Sequence, residues 1–286
     1  MNPEYLLIGH LTADLTPEGR RLGGTVSYAA RTASAFGLRV GILTSAADAE
    51  PLLGELTPYA SEVRVLPAPA TSTFENIYGP GGRTQYIRGV ARPIGPDDVP
   101  EQWLASPLVH LAPLTDEVDP QIAYQFKHST VLLTLQGWLR RWDADGRVRF
   151  KRWFDPAVLK AIDIVVFSEE DIVEAPELER EFAGAVEHLI VTRADKGGTY
   201  YRQGKPTNYD TPQVEVVNPT GAGDVFAAAL LAGLYVTNND MEASIRVAAR
   251  LGATAVTRYW LEGAPTPDEV HDAVAAVGYK VGYESR

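Results

Sequence analysis

The stretch VVNPTGAGDVFAAALLAGL, Val216 to Leu234, decides how this chain is read. Gly221, Ala222 and Gly223 stand directly before a carboxylate, Asp224, and then a long apolar run. A helix interior disfavours such glycines, so they belong to a turn that enters a helix. Phe226, Leu230, Gly233 and Leu234 recur at helical spacing and give that helix a packed face. The short apolar run Val214 to Val217 ends before Pro219, which cannot continue a strand ladder. A helix that begins on small residues presents unpaired N–H donors and the positive end of its dipole to an anion. Asp224 then has two readings. It caps the helix of a glycine-rich turn, or it is a general base that takes a hydroxyl proton while the amides steady a transferring phosphoryl group.

Composition narrows the choice. The 286 residues suit one large α/β domain or two ordinary ones, and 45% hydrophobic content supports a sizeable core. The net charge of -11, with no run of five basic residues, speaks against nucleic acid as the main partner. An anionic ligand therefore needs a local positive site. Cysteine is absent, which excludes disulfides, thiolate metal sites and a Cys nucleophile, and fits a reducing cytoplasm. The start MNPEYLLIGHLTADL carries Glu4 and Asp14 and is no signal peptide. No window approaches the roughly 18 apolar residues of a membrane span.

Outward from the opening stretch, short apolar runs alternate with helical patterns. Strands are expected at 5–9, 39–44, 108–112, 130–135, 163–167 and 188–192. Most are continuous apolar runs, as in a parallel sheet buried on both faces. Helices are expected at 25–36, which ends at Gly37, at 155–161, at 174–186, and at about 240–257 with Asp240 as cap. This is a doubly wound α/β sheet covered on both sides. Residues 71–94 break the rhythm. STFENIY and RTQYIRG flank the turn GPGG, and Thr73, Glu75 and Ile77 alternate with Phe74, Asn76 and Tyr78. That pattern is a β-hairpin, either a lid over the sheet or an ordinary edge hairpin.

NPTGAGDVFAAALLAGL closely resembles the second signature of the PfkB-type, or ribokinase-like, carbohydrate kinases, D-[TP]-x-G-A-G-D-x-F. GHLTADL resembles their first strand and G-x-x-x-x-D turn, and places Asp14 at the end of strand one as the sugar-binding aspartate. LGGTVSYAARTASAFGLRVGILTSA resembles the G-G-x-x-x-N-x-A segment with its helix and second strand. TFENIYGPGGRTQYI resembles the lid, LIVTRADKGGTYY the T-x-G-x-x-G turn near the nucleotide, and AARLGATAVTRYWLEGAPTPDEV the closing helix and tail. The resemblance implies a single ribokinase-like domain over 1–286, with a small β lid and ATP-dependent phosphorylation of a sugar, polyol or nucleoside hydroxyl. It makes Asp224 the base and the amides of Gly221, Ala222 and Gly223 the anion hole. Asp14 with Gly23 and Gly24 would hold the acceptor. Thr192, Ala194, Gly197 and Thr220, together with Gly221 and Gly223, would meet the nucleotide. Mg²⁺ would neutralise the phosphates.

Departures from the pattern matter. Asn218 replaces the first acid of the signature, near the family's monovalent-cation site. Ser168-Glu169-Glu170-Asp171 replaces N-x-x-E, so Asp171, with Glu170 as fallback, would link to Mg²⁺ through water. That run reads equally as a solvated helix start. Tyr28 replaces the sugar-binding Asn and either stacks on a ring or fills the helix core. Ala194 replaces the Gly of T-x-G, and Arg193 before it is expected to be exposed rather than to touch phosphate. Eight residues separate Asp14 from Gly23, fewer than in chains with a full lid, so the lid is expected to be reduced to 71–92 plus the 11–22 link. Dimerisation through the lid is then open, and monomer or homodimer both stand.

Gln136 and Arg140 follow a strand, where ligands gather in a doubly wound sheet, and either meet the acceptor or phosphate or belong to a loop around a buried Trp138. His10 and His110 are expected to be structural, and no His/acid spacing suits zinc. A dinucleotide oxidoreductase lacks its G-x-G-x-x-G, since LIGHLTAD has one glycine. A catalytically weak sugar- or nucleotide-binding sensor is the remaining alternative. Tyr28 and the short lid favour cyclic polyols such as inositol, or nucleosides, over hexoses.

Overall fold

The computed structural model describes residues 2–79 and 82–281. In chain order the first elements are β1 (Tyr5–Ile8), β2 (Thr12–Thr16), β3 (Gly19–Gly23), α1 (Thr25–Ala35) and β4 (Val40–Ala47). There follow α2 (Leu53–Leu56), β5 (Glu62–Ala68), β6 (Ser72–Gly79), β7 (Gly82–Gly89), β8 (Leu108–Leu111) and β9 (Thr130–Thr134). The middle holds β10 (Arg140–Trp142), β11 (Val148–Phe150), α3 (Pro156–Leu159), β12 (Ile164–Ser168) and α4 (Leu178–Ala185). The last part is β13 (His188–Thr192), β14 (Gly198–Arg202), β15 (Lys205–Tyr209), α5 (Ala222–Val236), α6 (Met241–Ala255) and α7 (Pro267–Ala275).

The large sheet runs β15-β14-β13-β12-β9-β8-β1-β4-β5. It is parallel from β13 to β5, and β14 and β15 add antiparallel at one end. The period of two splits each central strand between two cores. Tyr5 and Leu7 join α1, α5, α6 and α7 on one face. Leu6 and Ile8 join Trp103, Trp138, Phe182 and the shorter helices on the other. All four residues are fully buried, which explains the unbroken apolar reading of β1. The fold is the α/β, doubly wound, mostly parallel architecture implied by the strand–helix rhythm.

A second sheet, β3-β2-β6-β7, stands apart from the first. The hairpin expected at 71–94 is β6 and β7; its tip residues Pro80 and Gly81 lie outside the described residues. The 11–22 link is itself a hairpin, since β2 pairs antiparallel with β3 and parallel with β6. Asp14 therefore sits inside β2 of the small sheet, not at the end of β1. The reason is local. β2 runs from buried Thr12 and Ala13 through half-buried Asp14 to exposed Leu15, so Asp14 stands where the strand leaves the core. A third element, the β10–β11 hairpin, ties the small sheet to the large one. Ile87 N–H donates to Gly146 O at 2.8 Å, and Arg88 Nη1 to Asp145 O at 3.2 Å.

Candidate active site

A cleft of about 680 Å³ lies between the two sheets, at the C-terminal ends of β9, β12 and β13 and the start of α5. Strands that stop there expose the first turn of α5, as the crevice rule for open α/β sheets requires. Gly221 is the N-cap, in a left-handed conformation with φ +85°, and no side chain caps the helix. A Cβ at Gly221 would lie 2.1 Å from Tyr28 Cε1, so glycine is required twice over. Gly223 is different. It is exposed, and a Cβ there would meet nothing within 4 Å, only the open cleft. Ala222 N–H reaches Pro219 O only at 3.4 Å and Val225 N–H donates to Gly221 O at 2.8 Å, which leaves the amides of Gly223 and Asp224 as the less engaged donors among the described residues.

Asp224 is the third residue of α5, not its cap. Its carboxylate turns away from its own helix. Oδ1 accepts from Thr25 Oγ1 at 2.6 Å. Burial pushes the Asp224 carboxyl up to about 6, against the Thr25 hydrogen bond and Arg140, with Asp171 adding to the rise. A carboxylate that ionises near neutrality, beside a helix start, has the properties of a general base.

The other candidates divide by place. Asp14, Gly24, Tyr28, Gln136 and Arg140 line one end of the cleft, together with Thr12, Phe74, Asn76 and Gln85. Gly23 lies behind them, and a Cβ on it would meet Asp14 Oδ2 at 2.3 Å. Gly23 thus makes room for the Asp14 carboxylate and does not itself face the cleft. Tyr28 is buried core and a packing stop under Gly221 at once. Trp138 is buried with Nε1 donating to Val118 O, as the loop reading expects, while Gln136 and Arg140 of the same segment line the cleft.

Thr192, Ala194, Gly197, Thr220, Gly221, Ala222 and Gly223 line the other half of the cleft. Gly197 must be glycine, because φ is +76° and a Cβ would collide with Tyr209 O at 2.0 Å. Arg193 is neither exposed nor in the cleft. It is drawn between Glu169 and Glu179, which a bare strand-end arginine gave no sign of. Asn218 forms a turn, its Oδ1 accepting from Thr220 N at 2.8 Å. Val214, Val216 and Val217 form no strand and stay exposed.

Glu170 and Asp171 reach the cleft rim. Ser168 caps the short helix behind β12, and Asp171 Oδ2 accepts from Ser168 N at 2.9 Å. Asp171 Oδ1 accepts from Gln136 Nε2 at 3.0 Å. The capping reading of this run is therefore realised in the structure. Among the described residues no three His, Asp or Glu side chains converge as a metal cage. His10 is buried between Ser72 Oγ and Arg92 O. His110 is bonded to Tyr5 OH, and burial lowers it to about 3, so both histidines are structural.

Residues 157–267 match the family model described as pfkB family carbohydrate kinase. The cytidine kinase of Thermococcus kodakarensis is 25% identical over 267 residues, 85% of this chain and 92% of that protein. Over residues 157–267 the chain is similar to the PfkB-type, ribokinase-like kinases. The family match and the kinase-named relative support a phosphotransferase acting on a sugar or nucleoside hydroxyl. Solved ribokinase-like structures share its fold. A pyrophosphate-dependent kinase in the ribokinase family, complexed with a pyrophosphate analog and myo-inositol, superposes with TM-score 0.78 at 20% identity, covering 94% of this chain and 99% of that one. Arabidopsis thaliana ribokinase complexed with ribose and ATP gives TM-score 0.74 at 19% identity, covering 96% and 99%.

Sequence reading of this ribokinase-like chain missed Thr25 and Thr12. Thr12 is buried and its Oγ1 has no hydrogen-bond partner among the described residues, a placement only the β2–β3 pairing reveals. It also missed Asn76 and Gln85, which the alternation of the hairpin put on known faces without saying which face met the cleft.

Proposed function

We propose that this protein transfers the γ-phosphoryl group of ATP to a hydroxyl of a sugar, an inositol-like polyol or a nucleoside, in the cytoplasm. Asp224 acts as base and the Gly221–Gly223 backbone as anion hole. The observation that carries the reading is the placement of an Asp224 carboxyl poised near neutrality in the same cleft as an uncapped helix start. The cytidine-kinase relative and the myo-inositol-bound neighbour support the acceptor class. So does the polar acceptor end, where Asp14, Asn76, Gln85 and Gln136 can accept and donate around a polyol, with the Phe74 ring beside them. No helix among the described residues is long and apolar enough to cross a membrane. ATP consumption across a panel of alcohols tests the reading directly; no acceptor-dependent turnover would overturn it and leave a binding sensor.

ATP is favoured over pyrophosphate as donor by the walls of the far end. Tyr209, Pro212, Val214, Val216, Ala253 and Val256 line it, and Tyr209 stacks on Phe226 at 5.8 Å. The one Lys or Arg among the described residues that line the cleft is Arg140, at the acceptor end. A bare pyrophosphate would find apolar walls and no cation there, whereas a nucleobase is suited to them. Mg²⁺ would arrive on the phosphates and supply the missing positive charge, with Glu170 and Asp171 at the rim as carboxylates within its hydration shell.

Asp14→Ala should raise the acceptor KM by about 10- to 100-fold, the loss of one or two hydrogen bonds to a charged group, with ATP KM nearly unchanged. Equal changes in both constants in steady-state kinetics would remove Asp14 from the acceptor site. The small sheet closes over the acceptor in this account and keeps water from the γ-phosphate. Activity should require Mg²⁺ and depend little on K⁺. Asn218 carries no charge, and its oxygen is engaged by Thr220 N. Rates in sodium, potassium and a bulky organic cation at constant ionic strength decide this, and a tenfold rise specific to potassium would contradict it.

A further inference from the structure

The two oxygens of Asp224 are not equivalent. Oδ1 accepts from Thr25 Oγ1 at 2.6 Å, and Thr25 is the side chain that hydrogen-bonds this carboxylate among the described residues. Thr25 is the first residue of α1 and 199 positions away in sequence. It has little freedom to move. It is buried, a β-branched side chain in a helix keeps few rotamers, and the turn before it is packed. A Cβ at Gly24 would meet Thr12 Oγ1 at 2.7 Å, and Ser27 Oγ donates to Gly23 O at 2.7 Å. The segment therefore joins the two carboxylates of the site. Gly23 seats Asp14, and Thr25 holds Asp224.

We propose that Thr25 is a positioning residue that fixes the Asp224 carboxylate by its Oδ1, so that Oδ2 is the oxygen that takes the proton of the acceptor hydroxyl. This rests on the phosphoryl-transfer reading above. The acceptor O–H bond breaks and its proton goes to Oδ2. The freed electron pair bonds to the γ-phosphorus. The bond from that phosphorus to the bridging oxygen breaks, and its electron pair leaves with ADP. Oδ2 then releases the proton to solvent, so one ATP and one alcohol give ADP, a phosphate ester and a proton. A carboxylate free to rotate would offer either oxygen at varying distance, and general-base efficiency falls when the base is not held within hydrogen-bond reach.

The charged and titratable groups that face Asp224 are Tyr28 on α1, Arg140 on β10 and Asp171 behind β12. Arg140 favours the ionised form and Asp171 opposes it. Thr25 donates to the ionised form, so its removal should move the acid limb of the rate profile upward.

The test compares kcat, both KM values and the pH dependence of kcat/KM for wild type, Thr25→Val and Thr25→Ser. Valine keeps the shape and removes the donor; serine keeps the donor. Thr25→Val should lower kcat at pH 7 by about 10- to 100-fold with KM values within about twofold, and shift the acid limb up by about one pH unit. Part of the lost rate should return at higher pH. Thr25→Ser should stay near wild type in both. A Thr25→Val enzyme with near-normal kcat and an unmoved limb overturns the proposal, and so does a Thr25→Ser enzyme as damaged as Thr25→Val. If the wild type phosphorylates no alcohol, the transfer reading fails by itself. Carbon-13 titration of the Asp224 carboxyl still reads Thr25 in that case: an upward shift in Thr25→Val upholds its hold on the carboxylate, and an unchanged midpoint removes it.

Discussion

Asp224→Asn is expected to lower turnover by about two to four powers of ten, the range for a lost general base, while ATP affinity stays nearly intact. The amide can still accept from Thr25 Oγ1, so the local packing survives and the proton acceptor alone is lost. A variant that keeps more than a third of wild-type activity would remove Asp224 from the mechanism. The same substitution should raise stability at alkaline pH. The carboxyl's ordinary midpoint is 3.8, and burial raises it to about 6 in the folded chain. Between those values the folded state holds the extra proton. Wild-type stability therefore falls as pH rises through that window, and the loss is complete above about 6. Asparagine carries no such cost. The variant should melt above wild type at pH 8, and the gain should vanish below the ordinary midpoint. An Asp224→Asn protein less stable than wild type at pH 8 would mean that the carboxylate is held by more than Thr25. Wild-type activity should show an acid limb near 6, since the base must be ionised.

The parts of this site that could be read in sequence are those with a period or a local backbone constraint. The six central strands were legible because both faces of each are buried, which leaves a continuous apolar run. β5 and β15 were not. EVRVLPA and KPTNY are edge strands with exposed side chains, and Pro67 and Pro206 blur the pattern further. The turn at Gly221 was legible because glycine there answers to its own left-handed φ, a local constraint, whereas the Tyr28 ring packed against it was not. The β2–β3 hairpin was hidden because two five-residue strands with three exposed positions in GRRLG look like a link. Thr25 was illegible for a different reason. A threonine at a helix start has an ordinary local explanation, and its partner stands in another helix far along the chain. Arg193 was misplaced likewise, because its two glutamates come from separate segments. Side-chain pairs made across long sequence separation leave no trace in a single sequence unless a motif fixes one end.

The two glycines of the G-A-G turn should fail in opposite ways when each is changed to alanine. At Gly221 the φ of +85° is costly for a residue with a Cβ, and that Cβ would collide with the Tyr28 ring. Left-handed backbone strain and overpacking together cost about 2–5 kcal/mol, so Gly221→Ala should be destabilised or fail to fold. At Gly223 neither penalty applies. The position is helical, exposed, and has nothing within 4 Å of a built Cβ. Alanine is the better helix former by up to about 1 kcal/mol, so Gly223→Ala should melt at or slightly above the wild-type temperature. The methyl would nevertheless project into the cleft and hold a phosphoryl group off the amides of the first turn. Losing one such donor in an anion hole typically costs about 10²–10³ in kcat, and Gly223→Ala should lose activity on that scale. A protein that is as stable as wild type and hundreds of times slower cannot have been damaged through its fold. The bland account of the turn, a glycine-rich helix entry with no ligand, predicts that Gly223→Ala is harmless. Thermal melting and steady-state turnover on the same preparation separate the two, and retention of more than a third of the wild-type rate by Gly223→Ala would refute the anion hole at this helix start.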